Sequence, residues 1–158
     1  MSKPLVIVLV GVPGSGKSTW YEKHRSVVDA NAVYISSDKY IEDAARAKGM
    51  TYSEAFKELA PAAMQHVKQQ VQEAKRHNKD IVWDQTNVSV KSRKKIMQAL
   101  PRYYKIAVVF PIPEPEELKR RLSNRPGKEI PEPVIQSMIA NFQEPTRAEG
   151  FDDVRYAT

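Results

Sequence analysis

The chain has 158 residues, 41% of them hydrophobic and 28% charged, and it contains no cysteine. That size and balance fit one soluble domain, residues 1–158, with enough chain to bury a core, and the missing cysteines exclude disulfides, thiolate metal sites and a cysteine nucleophile. A net charge of +6 points to a polyanionic partner, because lysine and arginine neutralise phosphates and release their counterions; a basic but uncommitted surface is the alternative.

Residues 4–10 form a continuous apolar run, as a strand buried on both faces requires. The run is too short to span a bilayer and no signal-peptide cleavage site follows it, so no membrane partner is expected and a cytoplasmic location fits. A glycine-rich turn comes next, then a helix from Lys17 to about residue 24. Residues 32–36, 80–84 and 105–110 read as further strands, and 153–156 as a last one. The alternation predicts an α/β fold with a central parallel sheet of about five strands flanked by helices. The stretch between Asp38 and Lys79 reads as helical, with Pro61 expected to break it in two. Met64, Val67, Val71 and Ala74 then form an apolar stripe at helical spacing. Another helix is predicted from Pro115, with Glu116 and Glu117 in its first turn. A further one over residues 133–142 should bury Ile135, Met138, Ile139 and Phe142. Between those two helices the polar segment RLSNRPGK, residues 121–128, is expected to be exposed and mobile. It would form a lid over about residues 121–130.

The turn itself, GVPGSGKS at residues 11–18, matches the P-loop pattern in full and has the strand before it and the helix after it that the pattern needs. Gly14, Ser15 and Gly16 allow a backbone curl whose amide hydrogens converge on one centre. With the helix start at Lys17, Ser18 and Thr19 this makes an anion cradle. Lys17 can reach the β- and γ-phosphates, and the Ser18 hydroxyl can ligate Mg²⁺. ATP and Mg²⁺ are therefore the expected ligands.

Two carboxylates close predicted strands, Asp38 the second and Asp84 the third. Ligands of open α/β sheets bind beyond the carboxyl ends of the strands, so both should face the P-loop crevice. One carboxylate there can orient Mg²⁺ and another can accept the proton of an attacking hydroxyl. A strand directly beside the P-loop strand would bring its carboxylate to the metal, and one further out would bring it to the acceptor. Helix capping is the alternative for Asp38 and turn formation for Asp84. Arg121 and Arg125 are four apart and share a helical face, the layout of a lid that closes over a moving phosphoryl group; a solvated charge run is the alternative. The cluster KSRKK at residues 91–95 reads either as surface charge or as a contact for an acceptor phosphate. The three histidines lack ligand spacing, and Trp20 and Trp83 read as packing residues.

Taken in order, these segments resemble the P-loop polynucleotide 5′-hydroxyl kinases of phage end repair, over most of the chain to about residue 142. GVPGSGKSTW at 11–20 is similar to that family's P-loop. ISSDKY at 35–40 resembles the segment with the general base, which falls on Asp38. DQTN at 84–87, followed by Arg93, resembles the family's Asp-x-Thr-Asn segment, and Arg121 and Arg125 resemble its ATP-contacting lid arginines. IPEPVIQSM at 130–138 is similar to the helix after the lid. The resemblance implies transfer of the γ-phosphate of ATP to the 5′-hydroxyl end of DNA or RNA. Lys17, Asp38, Arg121 and Arg125 would be catalytic, Ser18 and Asp84 would hold the metal, and Asp38, Asp84, Thr86, Asn87 and Arg93 would meet the substrate. Phage members carry an arginine soon after the base, in contact with the acceptor end. Here Ile41 stands there, Arg46 lies on another helical face, and Arg93 is the better candidate. No room is seen for the phosphatase domain that some members carry. The tail PTRAEGFD at 145–152 resembles a broader group of small P-loop kinases. A kinase of a small-molecule or tRNA-bound hydroxyl is therefore the alternative, and a non-kinase ATP-binding switch module a third possibility.

Overall fold

In the computed structural model, which describes residues 3–25, 31–125, 128 and 130–157, the first apolar run forms β1, Leu5–Val10. Strand β2 is Val33–Ile35, β3 Ile81–Asp84, β4 Tyr104–Val109 and β5 Asp153–Tyr156. All pairings are parallel, and the strands lie in the order β2-β3-β1-β4-β5. This is the α/β architecture that the alternation of segments predicts. Residues 126, 127 and 129 of the expected lid lie outside the described residues.

Side chains of β1 alternate between two apolar layers, which is why the run has no polar positions. Val6, Val8 and Val10 pack with Val67, Val71, Trp83 and Ile96 on one face. Leu9 packs with Val82, Val108 and Phe110, and against Trp20, on the other. The helices are α1 Lys17–His24, α2 Ser37–Ala47, α3 Tyr52–Arg76, α4 Val90–Ala99, α5 Pro115–Ser123 and α6 Glu132–Ala140.

The helices depart from the expectations at several points. The break in the long helical segment falls between α2 and α3, and Pro61 lies inside an unbroken α3. Gly49, at φ 69°, ends the first helix. Thr51 then starts the second through a reciprocal capping box with Glu54. Pro61 and Lys57, whose carbonyl loses its amide partner, are both exposed, so solvent can satisfy that carbonyl and α3 continues. Met64 is 49% exposed; Ala63 takes its place in the buried stripe with Val67, Val71 and Ala74. Helix α4 is a further element beyond the predicted ones, capped by the Ser89 hydroxyl. In α6, Ile135 is buried, while Met138 and Ile139, and Phe142 just beyond the helix, are half-buried against the same cluster.

Candidate active site

The P-loop leaves β1 at its carboxyl end, and Gly11 N–H donates to Thr86 O at 2.9 Å, tying the turn to the end of β3. A Cβ on Gly11 would lie 2.4 Å from Ser15 Oγ and 3.0 Å from Phe110 Cβ, so any larger residue would force its surroundings to shift. Gly14 and Gly16 have φ of 83° and 101°, left-handed backbone that L side chains rarely adopt. Gly16 caps α1, whose first turn presents Lys17, Ser18 and Thr19. Lys17 Nζ donates to Gly11 O at 2.9 Å and Val12 O at 3.1 Å. Burial lowers the Lys17 ammonium to about 8, against the pull of Asp84 and Asp38. Ser15 Oγ is buried without a hydrogen-bond partner among the described residues. A buried orphan of this kind suits a site built to receive a polar ligand.

The strand order answers the question that the sequence left open. β3 lies beside β1, and β2 lies one strand further out. Asp84 ends β3, buried, and accepts a hydrogen bond from the Tyr34 hydroxyl of β2. Burial raises its carboxyl above the ordinary range, opposed first by the Tyr34 hydrogen bond, then by the Lys17 charge and a Ser18 hydrogen bond. Ser18 and Asp84 thus bring hard oxygen donors together from two elements, the chemistry Mg²⁺ takes. Among the described residues no group of three or more His, Cys, Asp or Glu could hold a metal ion, so an ion here would draw its remaining ligands from phosphate and water.

Asp38 is placed one turn later than expected. β2 ends at Ile35, and Asp38 lies in the first turn of α2. Capping is done by Ser36, whose hydroxyl accepts from Lys39 N–H at 3.2 Å. The Asp38 carboxylate, 55% exposed, therefore has no capping role and lines the cleft. Its Oδ1 accepts from the Tyr52 hydroxyl at 2.7 Å and its Oδ2 from Lys128 Nζ at 3.2 Å.

Helix α5 closes the donor side. Arg121 Nη1 donates to Gly14 O at 3.0 Å, and its Nε to Glu117 Oε1 at 2.9 Å. Hydrogen bonds from Arg120 and Arg121 hold the Glu117 carboxyl down at about 2. Gly14, Ser15, Gly16, Lys17, Ser18, Thr19, Asp38, Asp84, Thr86, Arg121 and Arg125 all line one open cleft of about 1220 Å³.

Two residues expected to meet the substrate lie elsewhere. Asn87, at φ 49°, is buried, and its Nδ2 donates to Leu9 O at 2.9 Å, bracing the end of β3 against β1. Arg93 is 0% exposed. Its Nε and Nη2 bond the two carboxylate oxygens of Glu149 at 2.6 and 3.1 Å, and its Nη1 bonds Asn87 O at 2.8 Å. Neither lines the cleft, and nor does any other residue of the 91–95 cluster. Conversely, Tyr34, Tyr52 and Glu42, which belong to no motif, and Lys128, the last residue of the polar segment 121–128, surround the two aspartates. Tyr34 gave a faint signal, lying two residues from Ser36 within the second predicted strand.

A family model described as an AAA domain matches residues 6–145. Heterogeneous nuclear ribonucleoprotein U-like protein 2 of Mus musculus is 31% identical over 96% of this chain and 21% of its own length. The bifunctional polynucleotide phosphatase/kinase of Schizosaccharomyces pombe is 29% identical over 94% of this chain and 32% of its own length. The chain thus spans a fifth to a third of the curated relatives it matches. A chain in the Pnkp1/Rnl/Hen1 RNA repair complex shares the fold, with a TM-score of 0.68 and 24% identity over 89% of this chain and 44% of its own.

Proposed function

The chain belongs to the AAA domain family, matched over residues 6–145, and from that premise we propose that it transfers the γ-phosphate of ATP to the 5′-hydroxyl end of a polynucleotide, with Asp38 as the base. It is a P-loop ATP-binding, kinase-like domain; the acceptor and the residue roles are the proposal. The observation that carries it is the Asp38 carboxylate, free of capping duty and facing the P-loop from one strand beyond Asp84. The polynucleotide acceptor is supported by the polynucleotide phosphatase/kinase and the RNA repair complex among the similar proteins, and by the charge of +6.

In this reading Asp38 accepts the proton as the hydroxyl oxygen bonds to the γ-phosphorus. The bond from that phosphorus to the β–γ bridging oxygen breaks and ADP leaves, after which the proton passes from Asp38 to solvent. Lys17, Arg121 and Arg125 balance the charge on the moving group. Arg121 is already seated on the P-loop carbonyl of Gly14. Ser18 and Asp84 would hold Mg²⁺, which when bound supplies positive charge to the phosphate oxygens.

Transfer of labelled γ-phosphate to 5′-OH DNA and RNA oligonucleotides tests the reading. Asp38→Ala should lose nearly all turnover and keep ATP binding; a variant that stays active would remove Asp38 as the base. Acceptor affinity should also fall steeply as salt rises.

One observation favours a second reading, a kinase of a small-molecule or tRNA-bound hydroxyl. Ile41 is 2% exposed in the apolar contact between α2 and α3, and Arg93 is consumed by Glu149. Neither position offers a cation to a polynucleotide end. Extending the transfer screen to nucleosides and sugars separates the two, because the second reading requires turnover without a phosphate beside the acceptor hydroxyl.

A further inference from the structure

Lys128 lines the same cleft as the P-loop. Its Nζ bonds Asp38 Oδ2 at 3.2 Å and Glu42 Oε1 at 3.0 Å, and stands 4.5 Å from the centre of the Tyr52 ring. The side chain is only 10% exposed. Its backbone N–H donates to Arg125 O at 3.1 Å, and both residues line the cleft. The Lys128 cation balances two neighbouring carboxylates. Asp38 and Glu42 are one helical turn apart and both line the cleft. Left alone, two carboxylates would repel a phosphodiester approaching the base.

We infer that Lys128 is the acceptor-phosphate contact of this site, the ammonium that receives the first internucleotide phosphate of a 5′-OH strand. This rests on the polynucleotide reading above, and it supplies the cation that Ile41 and Arg93 do not. Three donor hydrogens let the ammonium exchange a carboxylate for a phosphate oxygen without moving far. That exchange releases Asp38 Oδ2, while the Tyr52 hydroxyl keeps Oδ1 in place. The oxygen that takes the hydroxyl proton thus becomes free when a phosphorylated acceptor arrives. Lys128 is a specificity-determining residue here, and Asp38 remains the group that takes the proton.

The experiment measures binding of a 5′-OH tetranucleotide in the presence of a non-hydrolysable ATP analogue. Its first linkage is either a phosphodiester or a neutral methylphosphonate. The wild type should prefer the charged linkage by about tenfold or more, the usual worth of a charge-assisted hydrogen bond. Lys128→Arg should keep most of that preference, and Lys128→Met should bind both strands equally with its affinity for the ATP analogue unchanged. A preference that survives Lys128→Met, or one absent from the wild type, overturns the inference. Weakened binding of the ATP analogue in Lys128→Met would place the lysine on the donor side and overturn it too. Transfer to 5′-OH strands with the preference intact in Lys128→Met would sink this inference alone. A preference lost in Lys128→Met, with no transfer to any 5′-OH end, would sink the kinase reading alone.

Discussion

Tyr34 donates its hydroxyl hydrogen to Asp84 across the β2–β3 pair, so the outer strand braces the carboxylate that ends the inner one. Burial raises the Asp84 carboxyl, and the Tyr34 hydrogen bond is the leading force against that rise. Tyr34→Phe removes the bond and keeps the ring beside Tyr21, 4.2 Å between centroids. The carboxyl should then rise further. Since the proposed metal role needs the ionised form, the acid limb of the kcat profile should move to higher pH, which a pH–rate series reads directly.

Asp84 should also cost stability. Its carboxyl is raised in the folded chain, so between the ordinary and the raised value the folded state binds more protons than the unfolded one. The penalty is therefore present above the raised value and fades as pH falls through it. Asp84→Asn should melt at higher temperature than the wild type at pH 7, with the gap closing in acid, while metal-dependent turnover is lost. Melting curves across pH check both parts.

Lys17 is depressed to about 8 by burial, and a triphosphate binds its charged form. Nucleotide affinity should fall as pH rises past that value, and binding there should take up a proton. Calorimetry in buffers of different ionisation enthalpy measures the proton directly. Lys17→Met should abolish both the uptake and the pH dependence.

Arg93 and Glu149 form a buried pair, with side-chain exposures of 0% and 9%. Arg93→Ala leaves a buried carboxylate unpaired and should cost about 3–5 kcal/mol of folding stability in denaturant titrations. The acceptor KM of the folded fraction should not change, because Arg93 does not line the cleft.

Gly11→Ala places a methyl group 2.4 Å from Ser15 Oγ and 3.0 Å from Phe110 Cβ. The turn must shift to admit it, at about 1–3 kcal/mol for overpacking. A fluorescent ATP analogue should bind more weakly, and the midpoint of thermal unfolding should drop.

The donor half of the site was legible in the chain because its parts are contiguous. The strand, the turn at residues 11–18 and the helix from Lys17 follow one another, and local backbone geometry alone makes them a cradle. The strands were legible for a related reason, since burial on both faces leaves a continuous apolar run. Pro61 misled because a proline on an exposed helical face surrenders its carbonyl partner to solvent, which sequence pattern does not register. Arg93 misled because a short basic run looks alike whether its arginine faces solvent or a buried carboxylate 56 residues away.

By itself, then, the sequence determined the α/β class, the phosphate cradle and the presence of two carboxylates after strands. Only the tertiary structure decided their order, with Asp84 beside the P-loop strand and Asp38 one strand outward. It alone brought Tyr34 to Asp84, and Tyr52 and Lys128 to Asp38, across separations of 50, 14 and 90 residues. The physical reason is that a cradle is made by neighbours along the chain, whose spacing is covalent. The surroundings of Asp84 and Asp38 are made by neighbours across the sheet and between helices, whose meeting depends on which strand pairs with which.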